Sequence, residues 1–354
     1  MEKAVSIVGS LKNILSVDLA VDMGTTRTRI FVRGSGVALD EPSFTAVSYR
    51  EGEVVSVGKE AYKLFGRCPP HIDVVKPLGK GVIENFEVAE SMLREFLEQI
   101  FRRKALLGAR ILMVAPAGAT DVERKAFEDI ALQVGGREVE LIEAPVAVAL
   151  GIGMPIEQTR GLVVFGLGGG TTQTAVFAAG EVIFTASDPV GGEDLTEAIV
   201  AGIRKNHKIL IGSHTAEQLK ISMGSAYPMD KDETREIYGK SVVDGLPRAV
   251  FVSNWEIREM MEHPLNQIVN TIKAALERVP PELSEDIKRN GLHLAGGSSM
   301  VRGFPNLLEH ITGVKCITSK KGQLACIAGA ERVLLGGKQF SRYTISTHSR
   351  RFTG

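Results

Sequence analysis

Two periodicities organise the apolar positions of this chain. Residues 17–57 run as short stretches of Val, Ile, Leu and Phe separated by Gly34, Gly36 and Gly52, which reads as a β-meander. Met92, Leu93, Phe96, Leu97 and Ile100 then recur at helical spacing and predict a helix over 89–100. Residues 111–115 read as a buried strand. Residues 120–135 read as a helix whose Asp121 and Glu123 suit its N-terminal dipole, 139–142 as a strand, and 144–151 as a helix with Pro145 in its first turn. The second half alternates likewise: apolar residues 162–165, a glycine-rich turn, a second apolar segment, helices over 193–206 and 215–223, and a β-hairpin within 230–252. A long helix over 255–278 follows, broken by Pro280 and Pro281, then a short helix over 284–289 and a strand over 292–295. This alternation predicts an α/β protein. Its 354 residues suffice for two domains with cores of their own, and the second begins near Gly161.

The two halves share one local pattern. LVVFGLGGGTTQTAVF (162–177) is a strand, a turn of Gly168, Gly169, Gly170 and Thr171, and a second strand. VDLAVDMGTTRTRIFV (17–32) has the same grammar around Gly24, Thr25 and Thr26, with Asp22 just before the turn. Glycines permit positive φ and close approach of a ligand, successive turn amides form a concave anion site, and a carboxylate such as Asp22 can hold the water shell of a magnesium ion. Either stretch alone also reads as a plain hairpin. Two of them, far apart, predict two halves each offering a loop to one polyphosphate. The P-loop pattern GxxxxGK[ST] is absent, and strands rather than helices follow the turns, against a dinucleotide-binding fold.

The motifs VDMGTTRT, DEPSF, KPLGKGVIENF, APAGATDVERKAF, LIEAPVAVALGIG, GLGGGTTQTAV, IGSHTAEQLKISMGSAYP, GLPR, PPELSEDI and LAGGSSMVRG occur in the order and spacing of the MreB family of bacterial actins. The resemblance runs from about Ser16 to Gly336. It implies an actin-like ATPase fold: two related, ribonuclease H-like lobes with ATP or GTP and Mg2+ in a cleft between them. It further implies double-protofilament assembly with copies of the same chain at the inner face of the cell membrane, alongside cell-shape membrane proteins. By the same resemblance the nucleotide meets Asp22 (through water to magnesium), Gly24, Thr25, Thr26, Arg27, Gly168, Gly169, Gly170 and Thr171. Glu217, Gln218, Leu219 and Lys220 match the segment at ribose and base, and Gly296, Gly297, Ser298 and Ser299 the adenosine turn. Read without the family, Glu217 and Lys220 are a solvated ion pair. The implied organisation is a leader over 1–15, a first domain over 16–160, a second over 161–336 and a disordered basic tail over 337–354.

This sequence departs from the family where hydrolysis is concerned. The second phosphate loop, DIGGGTTE in the family, begins here with Gly166 and ends with Gln173. The glutamate that orients the attacking water is replaced by Ala144, next to Glu143. Two acids of the RDGVIAD segment are Lys80 and Asn85, and the third glycine of the adenosine turn is Ser298. Removing such a group costs about 10²–10⁴ in rate, so slow or absent ATPase activity is expected. Arg27 and Arg29 beside the first loop read either as phosphate contacts or as arginines on an exposed strand end.

Composition narrows the classes. A formal net charge of +0 argues against a nucleic-acid binder. Cys68, Cys316 and Cys326 lack metal-ligand spacing and fit a reducing cytoplasm. No apolar run is long enough to span a bilayer. Two segments read as membrane-surface elements: the leader, with Val8 and Leu11 on its apolar face, and Leu106 and Leu107 flanked by Arg102, Arg103 and Lys104. The alternatives are a core-packed leader and a charged helix end followed by buried leucines. Within the superfamily the competing functions are an organelle- or magnetosome-positioning actin, a sugar or acetate kinase, and a chaperone-type ATPase. The kinase lacks an evident acceptor-site insertion, and the chaperone would need a further peptide-binding domain.

Overall fold

A computed structural model describes residues 17–50, 52–102, 108–158, 160–229, 231–319 and 321–346. The chain divides into two compact units, one of residues 1–154 with 324–354, the other of residues 155–323.

The first unit is built on a six-stranded sheet ordered Thr344–Ser346, Gly136–Glu143, Ala109–Ala115, Asp18–Met23, Arg27–Val32, Gly36–Pro42. Asp18–Met23 and its two successors form an antiparallel meander, while Ala109–Ala115 and Gly136–Glu143 add in parallel. Alternation along Asp18–Met23 sends Leu19, Val21 and Met23 to one face, where they pack with Phe96, Phe127 and Ile130 of helices Phe86–Phe101 and Asp121–Gln133. Fully buried side chains of this size contribute about 1.5–3 kcal/mol each. Thr120 and Glu123 close a reciprocal capping box at the start of the second helix. A small outlying sheet, Val54–Val57, Thr45–Ser48 and Ile72–Val75, packs its own cluster around Phe44 and Val74.

The second unit repeats the plan. Its sheet runs Glu181–Asp188, Thr172–Ala178, Leu162–Leu167, Leu292–Ala295, Cys316–Thr318, again an antiparallel meander continued by two parallel strands. Val163, Phe165 and Leu167 join Leu195, Ile199, Leu219, Ile257 and Met261 in the core beneath helices Gly192–His207, Ser213–Met223 and Asn254–Glu277. The expected hairpin after residue 230 is the pair Thr234–Ser241 and Pro247–Ser253. The two five-stranded patterns agree in order and direction, as related lobes require.

The expected boundaries need one correction. Among the described residues, 324–346 belong to the first unit, not to the second domain or to a disordered tail. Helix Ala325–Gly336 packs on helix Ala144–Gly151 backbone to backbone. A Cβ at Gly329 would lie 1.7 Å from the Ala147 carbonyl oxygen, and one at Gly151 would lie 1.8 Å from that of Ala325. Phe340 and Tyr343 are then buried, and Thr344–Ser346 pairs antiparallel with Glu140–Ile142. The polar, basic composition of this stretch concealed it. Residues 347–354 lie outside the described part.

Candidate functional site

The two glycine–threonine turns have one backbone geometry. In the first unit Met23 pairs with Thr28 and the intervening four residues close with Gly24 N–H donating to Arg27 O at 3.0 Å. In the second, Leu167 pairs with Thr172 and Gly168 N–H donates to Thr171 O at 2.8 Å. None of Gly24, Gly168, Gly169 and Gly170 is among the glycines with positive φ, so of the two roles glycine permits in these turns, left-handed backbone is not used. Gly24 and Gly168 serve close approach instead: a Cβ would meet the Arg27 oxygen at 3.0 Å or the Thr171 oxygen at 3.2 Å. Among the described residues the N–H groups of Thr25, Thr26, Gly169 and Gly170 donate to no protein acceptor. Thr25 and Gly170 are buried. Buried amides are rarely left unpaired, and amides clustered in a turn suit an anion.

Each turn is braced from outside. The Ser43 hydroxyl donates to Gly24 O at 2.6 Å and lies 2.9 Å from Thr28 Oγ1, while Gly81 N–H donates to Thr25 Oγ1 at 3.2 Å. In the second unit Gly168 O accepts from Gly192 N–H at 3.1 Å and from Ser298 Oγ at 2.7 Å. Gly296, at φ +92°, is irreplaceable because a Cβ would lie 2.3 Å from Leu167 O; Ser299 Oγ donates to Gly296 O at 2.7 Å. The adenosine-turn candidates Gly296, Gly297, Ser298 and Ser299 are therefore fastened to the Gly168 turn.

Glu217 and Lys220 project from helix Ser213–Met223 onto the first turn of helix Gly192–His207. Lys220 Nζ donates to Gly192 O at 2.8 Å and Thr196 Oγ1 at 2.9 Å, and pairs with Glu217 Oε2 at 2.6 Å; Thr196 Oγ1 donates to the same Glu217 oxygen at 2.5 Å. Lys220 is only 11% exposed while Glu217 is 39% exposed, so the pair is enclosed at its lysine end and open to solvent at its carboxylate. The neighbours point elsewhere: Leu219 is in the core, and Gln218 bonds His214 on the exposed side. Thr196, Gly192 and Ser43 were not candidates in the sequence reading. Only Ser43, within DEPSF, lay inside a recognised motif.

Beneath the first turn lies a charge ladder set by strand register. Asp22 sits opposite Arg29, and Arg29 opposite Asp40. Arg29 Nη1 is 3.8 Å from Asp22 Oδ2, and its Nε is 3.2 Å from Asp40 Oδ1. That Nε is enclosed yet not aligned for a hydrogen bond, so the contact is one of charge rather than of hydrogen bonding. Arg27, expected at the nucleotide, turns to Asp40, with Nε to Oδ1 at 2.6 Å and Nη2 to the backbone oxygen at 2.8 Å. Arg29 is enclosed, not on an exposed strand end. Burial raises the Asp22 carboxyl above its ordinary range, opposed by Arg29 and the Cys326 thiol; burial likewise pushes that thiol well up. The Arg29 guanidinium already matches the Asp22 charge, which weakens the pull of that carboxylate on a dication. Among the described residues no group of three or more His, Cys, Asp or Glu could hold a metal. Asp22, already matched by Arg29, does not fit the magnesium shell the resemblance implies.

At the position of the family's water-orienting carboxylate stands Ala144. Its neighbour Glu143 accepts from Gly118 N–H at 3.1 Å. Asn85 caps helix Phe86–Phe101, accepting from Val88 N–H at 3.1 Å. The membrane candidates Val8, Leu11, Leu106 and Leu107 lie outside the described residues. No helix among the described residues is long and apolar enough to cross a membrane.

Paired meanders of this topology, each with a braced glycine–threonine turn between its first two strands, define an actin-like α/β fold. The family model for MreB/Mbl protein matches residues 16–342, and the chain belongs to that family. It is 39% identical over 322 residues to the cell shape-determining protein MreB of Escherichia coli (strain K12), covering 90% of this chain and 92% of that one. It is 36% identical over 318 residues to the cell shape-determining protein Mbl of Bacillus subtilis (strain 168), covering 90% and 95%. Among solved structures, MreB 5 of Spiroplasma citri bound to AMPPNP matches with a TM-score of 0.85 at 30% identity, over 92% of this chain and 97% of that one. The MamK double helical filament shares the fold alone, with a TM-score of 0.73 at 19% identity over 90% of this chain and 98% of that one. The relatives named here place the chain among actin-like cytoskeletal proteins.

Proposed function

We propose that this chain binds ATP or GTP through its two glycine–threonine turns and polymerises into filaments at the inner face of the cell membrane, where it organises cell shape or wall synthesis. The observation that carries the reading is the set of turn amides at Thr25, Thr26, Gly169 and Gly170 that meet no protein acceptor. A triphosphate supplies acceptors of the right charge. Lys220, enclosed beside Gly192 and paired with Glu217, supplies a cation and a carboxylate for the remainder of the nucleotide. The AMPPNP held by the related MreB 5 supports the ligand class.

Hydrolysis in this reading is slow or absent. Phosphoryl transfer to water depends on positioning the nucleophile. Ala144 carries no carboxylate, and Glu143 is engaged by the Gly118 amide. Nucleotide then acts chiefly as the ligand that readies the subunit for assembly.

Sedimentation of the purified chain tests the reading. Pelleting that rises with ATP or AMPPNP, and electron micrographs of filaments on anionic liposomes, are expected. A chain that stays in the supernatant with every nucleotide, or that phosphorylates a sugar, overturns it. A single-turnover hydrolysis rate equal to that of an MreB with the intact glutamate would end the slow-hydrolysis part.

A further inference from the structure

The turn segments 22–28 and 162–177 carry one carboxylate between them. Residues 162–177 contain no Asp or Glu, residues 23–28 contain none, and Asp22 stands at the end of its strand. That carboxylate is matched by a cation of the chain itself. Register puts Asp22 directly across from Arg29, and Arg29 directly across from Asp40. The guanidinium lies 3.8 Å from Asp22 Oδ2 and 3.2 Å from Asp40 Oδ1. Asp22 and Arg29 side chains are only 14% and 13% exposed, so neither readily turns away into water. Arg27 meets the same Asp40 oxygen at 2.6 Å, which holds the Asp40 end of the ladder.

We infer that Arg29 takes the place a dication would hold beside Asp22, so that nucleoside triphosphate binds this chain without magnesium. The guanidinium neutralises the one carboxylate that would otherwise repel a polyphosphate at the first turn. It also repels any divalent ion drawn to that carboxylate. The inference rests on the nucleotide reading above and adds the counter-ion to it.

Calorimetric titration of AMPPNP into the full chain, in millimolar magnesium and in excess EDTA, is the test. For the unaltered chain the two dissociation constants are expected to agree within about threefold. Arg29→Met is expected to weaken binding about tenfold or more on chelation, whereas Arg29→Lys keeps the indifference. Binding by the unaltered chain that falls tenfold or more in EDTA overturns this inference and leaves the nucleotide reading standing. So does an Arg29→Met chain as indifferent as the original. Absence of binding in both buffers overturns both. Should Arg29→Met fail to fold, the unaltered chain and Arg29→Lys in the two buffers decide.

Discussion

The turns at Gly24 and Gly168 close with the same hydrogen bond, but the residue pairs beneath them differ. In the first unit the pair across the strands is Asp22 and Arg29, continued to Asp40. In the second the equivalent pair is Gly166 and Gln173, continued to Ser187. One turn is underlaid by compensated charges. The other has none, and Gln173 Nε2 donates to Thr171 Oγ1 at 3.0 Å instead. The charges of the second unit stand beside its turn, on Glu217 and Lys220. A common backbone therefore specifies where an anion can sit, while side chains one register step away specify how its charge is met. Hydrogen-bond geometry is inherited from topology, and electrostatics can be rewritten position by position.

The largest effect should come from the second unit. Lys220→Met removes the cation proposed to meet the nucleotide; a charged hydrogen bond is worth up to about 3 kcal/mol, so AMPPNP affinity measured by calorimetry should fall about a hundredfold. An affinity within a few fold of the original would mean that the second unit needs no charge either. Ala144→Glu tests the proposed slow hydrolysis: single-turnover phosphate release should rise by about 10²-fold, and an unchanged rate would rule out this one carboxylate as its cause. Ser298→Gly removes the hydroxyl on Gly168 O and should weaken AMPPNP binding by about fivefold, the worth of a hydrogen bond of about 1 kcal/mol. No loss would show that the Gly192 amide braces the turn unaided.

The smallest effect concerns the ladder and has a definite sign. Asp22 is raised above its ordinary 3.8 chiefly by burial. A carboxyl raised on folding favours the folded state most fully below its unfolded value, and that contribution is lost as pH rises through the folded one. At neutral pH the raised Asp22 carboxyl therefore costs the folded state stability. Asp22→Asn should raise the melting temperature at pH 7, and the gain should shrink toward pH 3.8 and vanish below it. A loss of stability at pH 7 would show that the attraction of Arg29 outweighs burial and would make the ladder a stabilising feature.

Helix and strand positions were largely legible because apolar period and punctuation are local. Pro280 and Pro281 ended a helix where expected, at Glu277, and the helix after Gly191 was read almost to the residue. The same holds for the turns, whose glycines and threonines are contiguous. The ladder was not legible. Asp22, Arg29 and Asp40 are widely spaced in sequence, and only strand register makes them neighbours. Nor was the return of residues 325–346 to the first unit, since it depends on Gly329 and Gly151 allowing two distant helices to touch.

By itself, then, the sequence determined the family, the α/β alternation and both turns, because each is written in adjacent or regularly spaced residues. Tertiary structure alone decided that the loop glycines serve close approach rather than positive φ, that Lys220 is enclosed, that Arg29 answers Asp22, and where the first unit ends. Those outcomes turn on distances between side chains far apart along the chain, and such distances exist only once the strands have chosen their register.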